Sequence, residues 1–231
     1  MSIIAKNLKM VRSEVASSAT KNGRNTSDIT LLAVSKTRPA DDIRIASNEG
    51  QVHFGENYLQ ESLEKINELK ELELIWHFIG PLQSNKTRSV AENFDWLHTL
   101  DRLKIAKRLS EQRPTGLKPL NVCIQVNISN EESKSGCRPE ELHTLVEEIS
   151  KLPNICVRGL MAIPKATEDP KEQQAAFAKM KALQLELQAK HPQLDTLSMG
   201  MSGDMDAAIA EGSTIVRIGT AIFGPRAPKS A

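Results

Sequence analysis

The sequence is short of aromatic residues and of net charge, and both shortages exclude a class of function. Phe, Trp and Tyr together make up 3% of the 231 residues, which is too few for a surface that stacks nucleic-acid bases. Lys plus Arg total 30 and Asp plus Glu total 29, so the net charge of +1 lacks the basic excess of a nucleic-acid binder. We therefore expect no nucleic-acid partner.

Cysteine and long apolar runs are scarce as well. The three cysteines form no C-x-x-C pair and the five histidines show no metal spacing, so neither a disulfide framework nor a metal site is expected. Cys123 and Cys156 lie in apolar runs typical of core thiols, whereas Cys137 lies in a polar loop and should be more exposed. No stretch approaches transmembrane length, and the charged N-terminal segment lacks a signal peptide's apolar region. These absences predict a soluble, cytoplasmic protein without a membrane partner.

What the chain does contain is an unbroken alternation of strand-like and helix-like segments. An amphipathic helix is predicted over 2–21, and Ser84 and Asp101 are expected to cap two of the later helices. Alternation of this kind implies parallel strands. The predicted strands are 29–36, 52–54, 75–79, 96–99, 122–128, 156–163, 196–198 and 214–218.

Eight such units in about 200 residues match the period of a (β/α)8 barrel. The predicted fold class is therefore α/β, a single (β/α)8 TIM barrel with an extra N-terminal helix, in one domain over residues 1–231. A doubly wound open sheet is the alternative. The first strand-to-helix turn lacks the G-x-G-x-x-G fingerprint that such a sheet often carries.

Lys36 closes the first predicted strand and is the first candidate functional residue. Because side chains alternate along a strand, Leu32, Val34 and Lys36 should share one face. Burial disfavours a charged ammonium, which makes a lysine a nucleophile toward carbonyls. The alternative is a lysine that ends the strand and reaches out to water, and the local pattern alone favours that alternative.

Residues near the C-terminus favour a functional role for Lys36 over a lysine that reaches out to water. The active site of a (β/α)8 barrel lies at the C-terminal ends of its strands. Ser202 and Gly203 follow strand seven, and Gly219 and Thr220 follow strand eight. The loops after these two strands are the usual phosphate site of the fold, and a helix N-terminus offers N–H groups to an anion. Each pair alone is compatible with an ordinary cap or turn. Together they favour phosphate binding.

An amine and a phosphate site on one rim suggest a phosphorylated aldehyde held as a Schiff base, and pyridoxal 5'-phosphate is the obvious candidate. Arg217 lies two residues before Gly219 and is expected near the pyridine nitrogen, which it would keep unprotonated. An ion pair at the barrel rim is the alternative role for Arg217. His77 lies in strand three, where a satisfied core histidine is favoured over a residue that reaches the rim.

Several long motifs closely resemble the pyridoxal phosphate homeostasis proteins, and the resemblance spans essentially the whole chain. The motifs are Ala33-Val34-Ser35-Lys36, Phe54-Gly55-Glu56-Asn57-Tyr58, residues 76–86 (WHFIGPLQSNK), Gly159-Leu160-Met161-Ala162-Ile163-Pro164, residues 197–202 (LSMGMS) and residues 216–224 (VRIGTAIFG).

The resemblance implies a barrel like the N-terminal domain of alanine racemase, with Lys36 as the Schiff-base lysine. It places Arg217 at the pyridine nitrogen and Asn57 near the cofactor. It also implies phosphate-binding roles for Ser202, Gly219 and Thr220, and Met201 is included in the cofactor-binding set. Arg38 falls where some relatives have a second lysine, and Lys134 matches a loop lysine that is more simply a solvated loop charge.

Members of the family are regarded as carriers or regulators of the cofactor, so the resemblance implies storage, buffering or delivery without robust catalysis. Apo-enzymes that use pyridoxal phosphate are candidate recipients. A racemase needs two acid/base groups on opposite faces of the substrate, and Tyr58 is the only tyrosine. The chain ends just after the barrel, so we expect no second domain, an open cofactor face and a monomer. The alternatives are a weak racemase or transaminase, and a Schiff-base aldolase on a sugar phosphate.

Overall fold

The chain forms a closed barrel of parallel strands, seen in a computed structural model that describes residues 2–131 and 135–225. Each strand pairs in parallel with the next one along the chain, and the last pairs with the first. The strands are β1 (Thr30–Val34), β2 (His53–Glu56), β3 (Ile75–Phe78), β4 (Trp96–Leu100), β5 (Leu120–Gln125), β6 (Ile155–Met161), β7 (Thr196–Ser198) and β8 (Ile215–Ile218). The predicted (β/α)8 barrel is confirmed, and the alternative open sheet is wrong. Lys134 lies outside the described residues.

Helices connect the strands around the outside of the barrel. They are α1 (Ile3–Lys21), α2 (Ala40–Asn48), α3 (Leu59–Glu68), α4 (Thr87–Asn93), α5 (Leu103–Gln112), α6 (Pro139–Ser150), α7 (Pro170–Gln188), α8 (Met205–Ala210) and the short α9 (Thr220–Phe223). Within the described ranges, no helix is both long and apolar enough to cross a membrane.

The predicted extra N-terminal helix is α1, which begins where Ser2 accepts a hydrogen bond from the Ala5 N–H. Its buried face includes Leu8, Val11 and Val15, which follow the helical spacing of the sequence. The helix packs against α2, α8 and α9. It therefore covers the side of the barrel where β8 meets β1.

The two predicted helix caps are wrong. Ser84 opens a short 3-10 turn, and its carbonyl accepts a hydrogen bond from the Thr87 hydroxyl at the start of α4. Helix α5 begins after Arg102, and no side-chain cap is made there, so Asp101 does not serve as the cap. In both places the residue that precedes the helix lies one or two positions after the predicted cap.

The prediction of an exposed Cys137 is also wrong. Its backbone forms an isolated parallel bridge with Val126, which extends the β5 edge and draws the loop inward. The thiol is thereby buried, and burial raises its pKa to about 12. Cys123 is fully buried as predicted, whereas Cys156 is only half-buried.

Candidate functional site

A cavity of about 320 Å³ opens at the C-terminal ends of β8, β1 and β2, which is the end of the fold that carries active sites. Its size is that of a small-molecule site. The residues predicted to bind a cofactor come from four segments of the chain, which follow β1, β2 and β7 and run from the end of β8 into α9, and the cavity brings all of them together. They are Lys36, Asn57, Met201, Ser202, Arg217, Gly219 and Thr220.

Lys36 lies two residues beyond the end of β1 and lines the cavity together with Val34. The residue is half-buried and forms part of the cavity wall. The next residue, Thr37, adopts the left-handed conformation with φ of 62°. That conformation is uncommon for a β-branched residue, so the surrounding structure must hold the turn in place.

A buried polar cluster holds this turn from behind. Lys65 Nζ on α3 donates to the Ser35 carbonyl and to Glu56 Oε1, each at 2.8 Å, and also to Glu61. The Ser35 hydroxyl donates to Glu56 Oε1 at 2.6 Å, and the Thr37 N–H donates to Glu61. Burial raises the pKa of Glu56 even though Lys65 acts in the opposite direction. The cluster fixes the backbone on both sides of Lys36.

The sequence did not reveal this cluster. Glu56 ends β2, and its carboxylate points away from the cavity toward α3 and is fully buried. Strand alternation explains the outcome, because Glu56 and the cavity-lining Asn57 are neighbours and must face opposite ways. Lys65 carried no signal beyond its i,i+4 spacing from Glu61 on α3, since its other partners, Ser35 and Glu56, lie on other elements.

Arg217 enters the cavity from β8 and is 5% exposed. Its Nη1 donates to the carbonyl and hydroxyl oxygens of Ser198, at 2.6 and 2.9 Å, and its Nη2 donates to the Ala162 carbonyl at 3.0 Å. These partners are neutral, unlike those of the rim ion pair considered as the alternative. Burial lowers the pKa of Arg217 to about 10, so the guanidinium stays charged at neutral pH.

The loops after β7 and β8 form the opposite wall. Gly200 has φ of +97°, and the following turn is closed by hydrogen bonds between Met201 and Asp204 in both directions. Gly219 precedes α9, and a Cβ atom there would lie 3.2 Å from the Val34 carbonyl oxygen. Ser202, Gly203 and Thr220 are exposed on this wall and line the cavity. Two hydroxyls and two glycine backbones are thus available to an anion.

Asn57 contributes an unusual acceptor. Its Oδ1 atom is buried, and within the described residues it has no hydrogen-bond partner. Buried polar side-chain atoms rarely go unpaired, so an orphaned acceptor on a cavity wall points toward a ligand that supplies the donor. Gly80 lies against the same segment, where a Cβ atom would come within 2.2 Å of the Asn57 carbonyl oxygen.

His77 is the satisfied core histidine that the sequence favoured. It is fully buried and hydrogen-bonds to His53 through Nε2 and to His98 through Nδ1. Arg38, the other candidate of the first loop, lines the cavity and donates from Nη2 to the carbonyls of Gly224 and Pro225. It therefore ties the loop after β1 to the end of α9.

Comparison with known proteins identifies the family to which this sequence belongs. Residues 5–227 match the family described as "Alanine racemase, N-terminal domain". The chain is 58% identical over 226 residues to the pyridoxal phosphate homeostasis protein of Pseudomonas aeruginosa, covering 98% of this chain and 97% of that protein. This chain belongs to the family of pyridoxal phosphate homeostasis proteins. The family resemblance inferred from its motifs is therefore confirmed.

Solved structures agree with the assignment. PipY of Synechococcus elongatus is 41% identical, with a TM-score of 0.85, and the match covers 96% of this chain and 100% of PipY. PipY has also been solved with pyridoxal phosphate bound, and that structure matches with 40% identity and a TM-score of 0.82 over the same shares of both chains. Alanine racemase from Corynebacterium glutamicum shares the fold, with 17% identity, a TM-score of 0.68 and coverage of 99% of this chain and 62% of the racemase.

Proposed function

We propose that this protein binds pyridoxal 5'-phosphate in the cavity between β8, β1 and β2, and that it stores, buffers or delivers the cofactor inside the cell. The names of its relatives support the role in homeostasis, and the bound cofactor of PipY supports the ligand. The observation that carries the proposal for this chain is the meeting of Lys36, Arg217 and the β7–β8 loops in one cavity.

The residues present fit the cofactor chemically. The cavity wall carries a lysine for an aldehyde, hydroxyls and glycine backbones for a phosphate, and a guanidinium for a ring nitrogen. The orphaned Oδ1 of Asn57 needs a donor, and a phenolic hydroxyl on the cofactor can supply one. Pyridoxal phosphate supplies an aldehyde carbon and a ring that withdraws electrons from it.

Each residue then has a defined task. Lys36 would supply the amine that holds the cofactor through its aldehyde. Ser202 and Thr220 donate to phosphate oxygens, and the N–H groups at the start of α9 add to them. Arg217 keeps the ring nitrogen unprotonated because a charged guanidinium beside it opposes a second positive charge. An unprotonated ring is a weaker electron sink, which suits holding the cofactor more than catalysis.

The cavity also lacks a second group for acid/base work. Racemisation needs a proton donor or acceptor on the face of the substrate opposite the lysine. Among the described residues that line the cavity there is no carboxyl, imidazole, phenol or thiol. Tyr58, at the start of α3, is 51% exposed and lies outside this lining. We therefore propose a carrier and not a racemase.

Equilibrium dialysis and a turnover assay test the proposal together. Wild-type protein, Lys36→Ala and the control Lys165→Ala, which alters an exposed lysine of the β6–α7 loop, are equilibrated with pyridoxal phosphate. We expect wild type and Lys165→Ala to bind one equivalent tightly and Lys36→Ala to bind at least about tenfold more weakly. The loaded wild-type protein is then incubated with L-alanine and with D-alanine.

Chiral chromatography should show no interconversion above that of free cofactor. Lys36-dependent turnover would replace the carrier with a weak enzyme. If wild type binds no cofactor at all, the ligand assignment is wrong, and a sugar-phosphate aldolase becomes the function to test.

A further inference from the structure

A chain of polar side chains crosses the barrel interior, where bulky apolar residues normally pack. It begins at Arg217 on β8, continues through Ser198 on β7 and ends in His98 on β4, His77 on β3 and His53 on β2. The Arg217 Nη1 to Ser198 Oγ distance is 2.9 Å, and Ser198 Oγ lies 2.7 Å from His98 Nδ1. His98 Nε2 lies 2.8 Å from His77 Nδ1, and His77 Nε2 lies 2.9 Å from His53 Nδ1.

Burying this row of polar side chains is costly unless each of them is hydrogen-bonded. Each one is hydrogen-bonded to the next, which indicates a role beyond packing. Ser198, His77 and His98 are fully buried, and His53 is half-buried at the N-terminal end of β2. Burial lowers the pKa of His98 to about 3 and that of His77 well below its usual range. Burial also lowers the pKa of His53. All three imidazoles are therefore neutral at physiological pH, and each has one N–H donor and one bare nitrogen acceptor.

Counting donors assigns a direction to the chain. Ser198 Oγ accepts a hydrogen bond from Arg217 Nη1, so its own hydroxyl hydrogen is free to point at His98 Nδ1. His98 is then protonated at Nε2 and donates to His77 Nδ1. His77 is protonated at Nε2 in turn and donates to His53 Nδ1.

If the hydrogen bonds between the histidines ran in the opposite direction, one donor would be left without an acceptor. His98 would then donate from Nδ1 to Ser198 Oγ, and this bond and the one from Arg217 would occupy both lone pairs of the serine oxygen. The serine proton would need a third acceptor in a fully buried position. An unmade hydrogen bond there carries the full cost of desolvation.

We infer that Ser198, His98, His77 and His53 form a one-way hydrogen-bond relay that positions the Arg217 guanidinium against the cofactor's ring nitrogen. Each bond in the relay runs in the same sense, and aligned hydrogen bonds strengthen one another. Ser198 is thereby locked as an acceptor for Nη1, which leaves other guanidinium N–H groups for the cavity. The inference rests on the proposed binding of pyridoxal phosphate, and the histidines are positioning residues that do not touch the ligand.

The tautomers test the direction without any cofactor. Protein labelled with 15N-histidine is observed by long-range 1H–15N correlation at pH 8, with assignments from the His98→Asn and His77→Asn variants. We expect His98 and His77 each to carry the proton on Nε2 and a bare Nδ1. Protons on Nδ1 of both rings would overturn the proposed direction of the relay.

Cofactor titrations test the positioning role. His98→Leu removes the acceptor of the Ser198 hydroxyl, and His98→Asn restores it because the asparagine Oδ1 takes the place of Nδ1. Leu97→Ala is the control, since it destabilises the same strand from its buried outer side and leaves the relay intact. We expect His98→Leu to bind pyridoxal phosphate about fivefold more weakly, the effect of one neutral hydrogen bond.

The absorption maximum of the bound cofactor adds a readout that mere destabilisation does not move. It should shift in His98→Leu and return in His98→Asn, while Leu97→Ala keeps the wild-type band. Ser198→Ala should match His98→Leu, and the double variant should be no worse than either, since both cut the same relay. Wild-type affinity and band in His98→Leu, or additive losses in the double variant, would overturn the inference. Wild type without bound cofactor would instead overturn the proposed function, and the tautomers alone would then decide the relay.

Discussion

The buried cluster behind Lys36 gives the sharpest stability prediction, which concerns Lys65→Met. Lys65 has a 6% exposed side chain, and its partner Glu56 has none of its side chain exposed. Methionine keeps the length of the side chain and removes the charge, so Glu56 is left buried without its cation. Removing one partner of a buried ion pair costs ~3–5 kcal/mol. For a chain of this size the melting temperature should fall by roughly 10 °C.

The pH dependence identifies the cause. Burial raises the pKa of Glu56 in the folded state, so its contribution to stability is greatest below the unfolded pKa and is lost as pH rises through the folded value. Lys65 opposes that rise, so the pKa of Glu56 should climb further in Lys65→Met. The difference in unfolding free energy between wild type and variant should therefore be larger at pH 7.5 than at pH 5.

Urea unfolding followed by circular dichroism at both pH values measures the effect. Glu56→Gln is the matched control, because glutamine still accepts from Ser35 and Lys65 but carries no charge. The double variant Glu56→Gln/Lys65→Met should recover most of the loss at pH 7.5. A cost below ~1 kcal/mol, or an equal cost at both pH values, would refute the account of a buried charge pair.

Two further predictions concern packing and thiol chemistry. Gly159→Ala should cost more than ~3 kcal/mol, because the new Cβ would lie 1.8 Å from the Thr196 carbonyl oxygen. Gly116→Ala is the control: a Cβ there would meet no atom of the described residues within 4 Å, so stability should change by less than ~0.5 kcal/mol. Similar melting curves for both variants would contradict the close approach at Gly159. Cys123 and Cys137 should resist a thiol reagent at pH 8, because burial raises the pKa of both to about 12 and leaves almost no thiolate; all three cysteines should react in urea, and rapid native labelling of Cys137 would place it outside the fold's interior.

The fold and the cavity were predictable because their signals are local. Apolar runs mark the strands, and strand alternation placed Val34 and Lys36 on one face, where both line the cavity. The glycines and hydroxyls after β7 and β8 follow a rule of the barrel and needed only the strand count. Helix bounds were less accurate, because Ser84 and Asp101 have the chemistry of a cap without its geometry.

The two buried polar networks could not be predicted, because each joins elements that are distant in sequence. The relay from Arg217 to His53 draws side chains from five strands, and only the closure of the barrel brings His98 and Ser198 together across 100 positions. The sequence favoured a satisfied core histidine for His77, but it did not identify the partners. Cys137 was misjudged for a related reason, since its bridge to Val126 makes part of a polar loop an interior strand edge.

The covalent bond between Lys36 and pyridoxal phosphate is the central claim, and borohydride trapping tests it most directly. Wild-type protein is incubated with pyridoxal phosphate, reduced with borohydride, digested and analysed by mass spectrometry, with Lys36→Ala and Lys165→Ala in parallel. We predict one reduced pyridoxyl adduct on Lys36 in wild type and Lys165→Ala, and none at stoichiometric level in Lys36→Ala. An adduct that persists in Lys36→Ala, or a wild-type protein that carries its adduct on another lysine, would contradict the account.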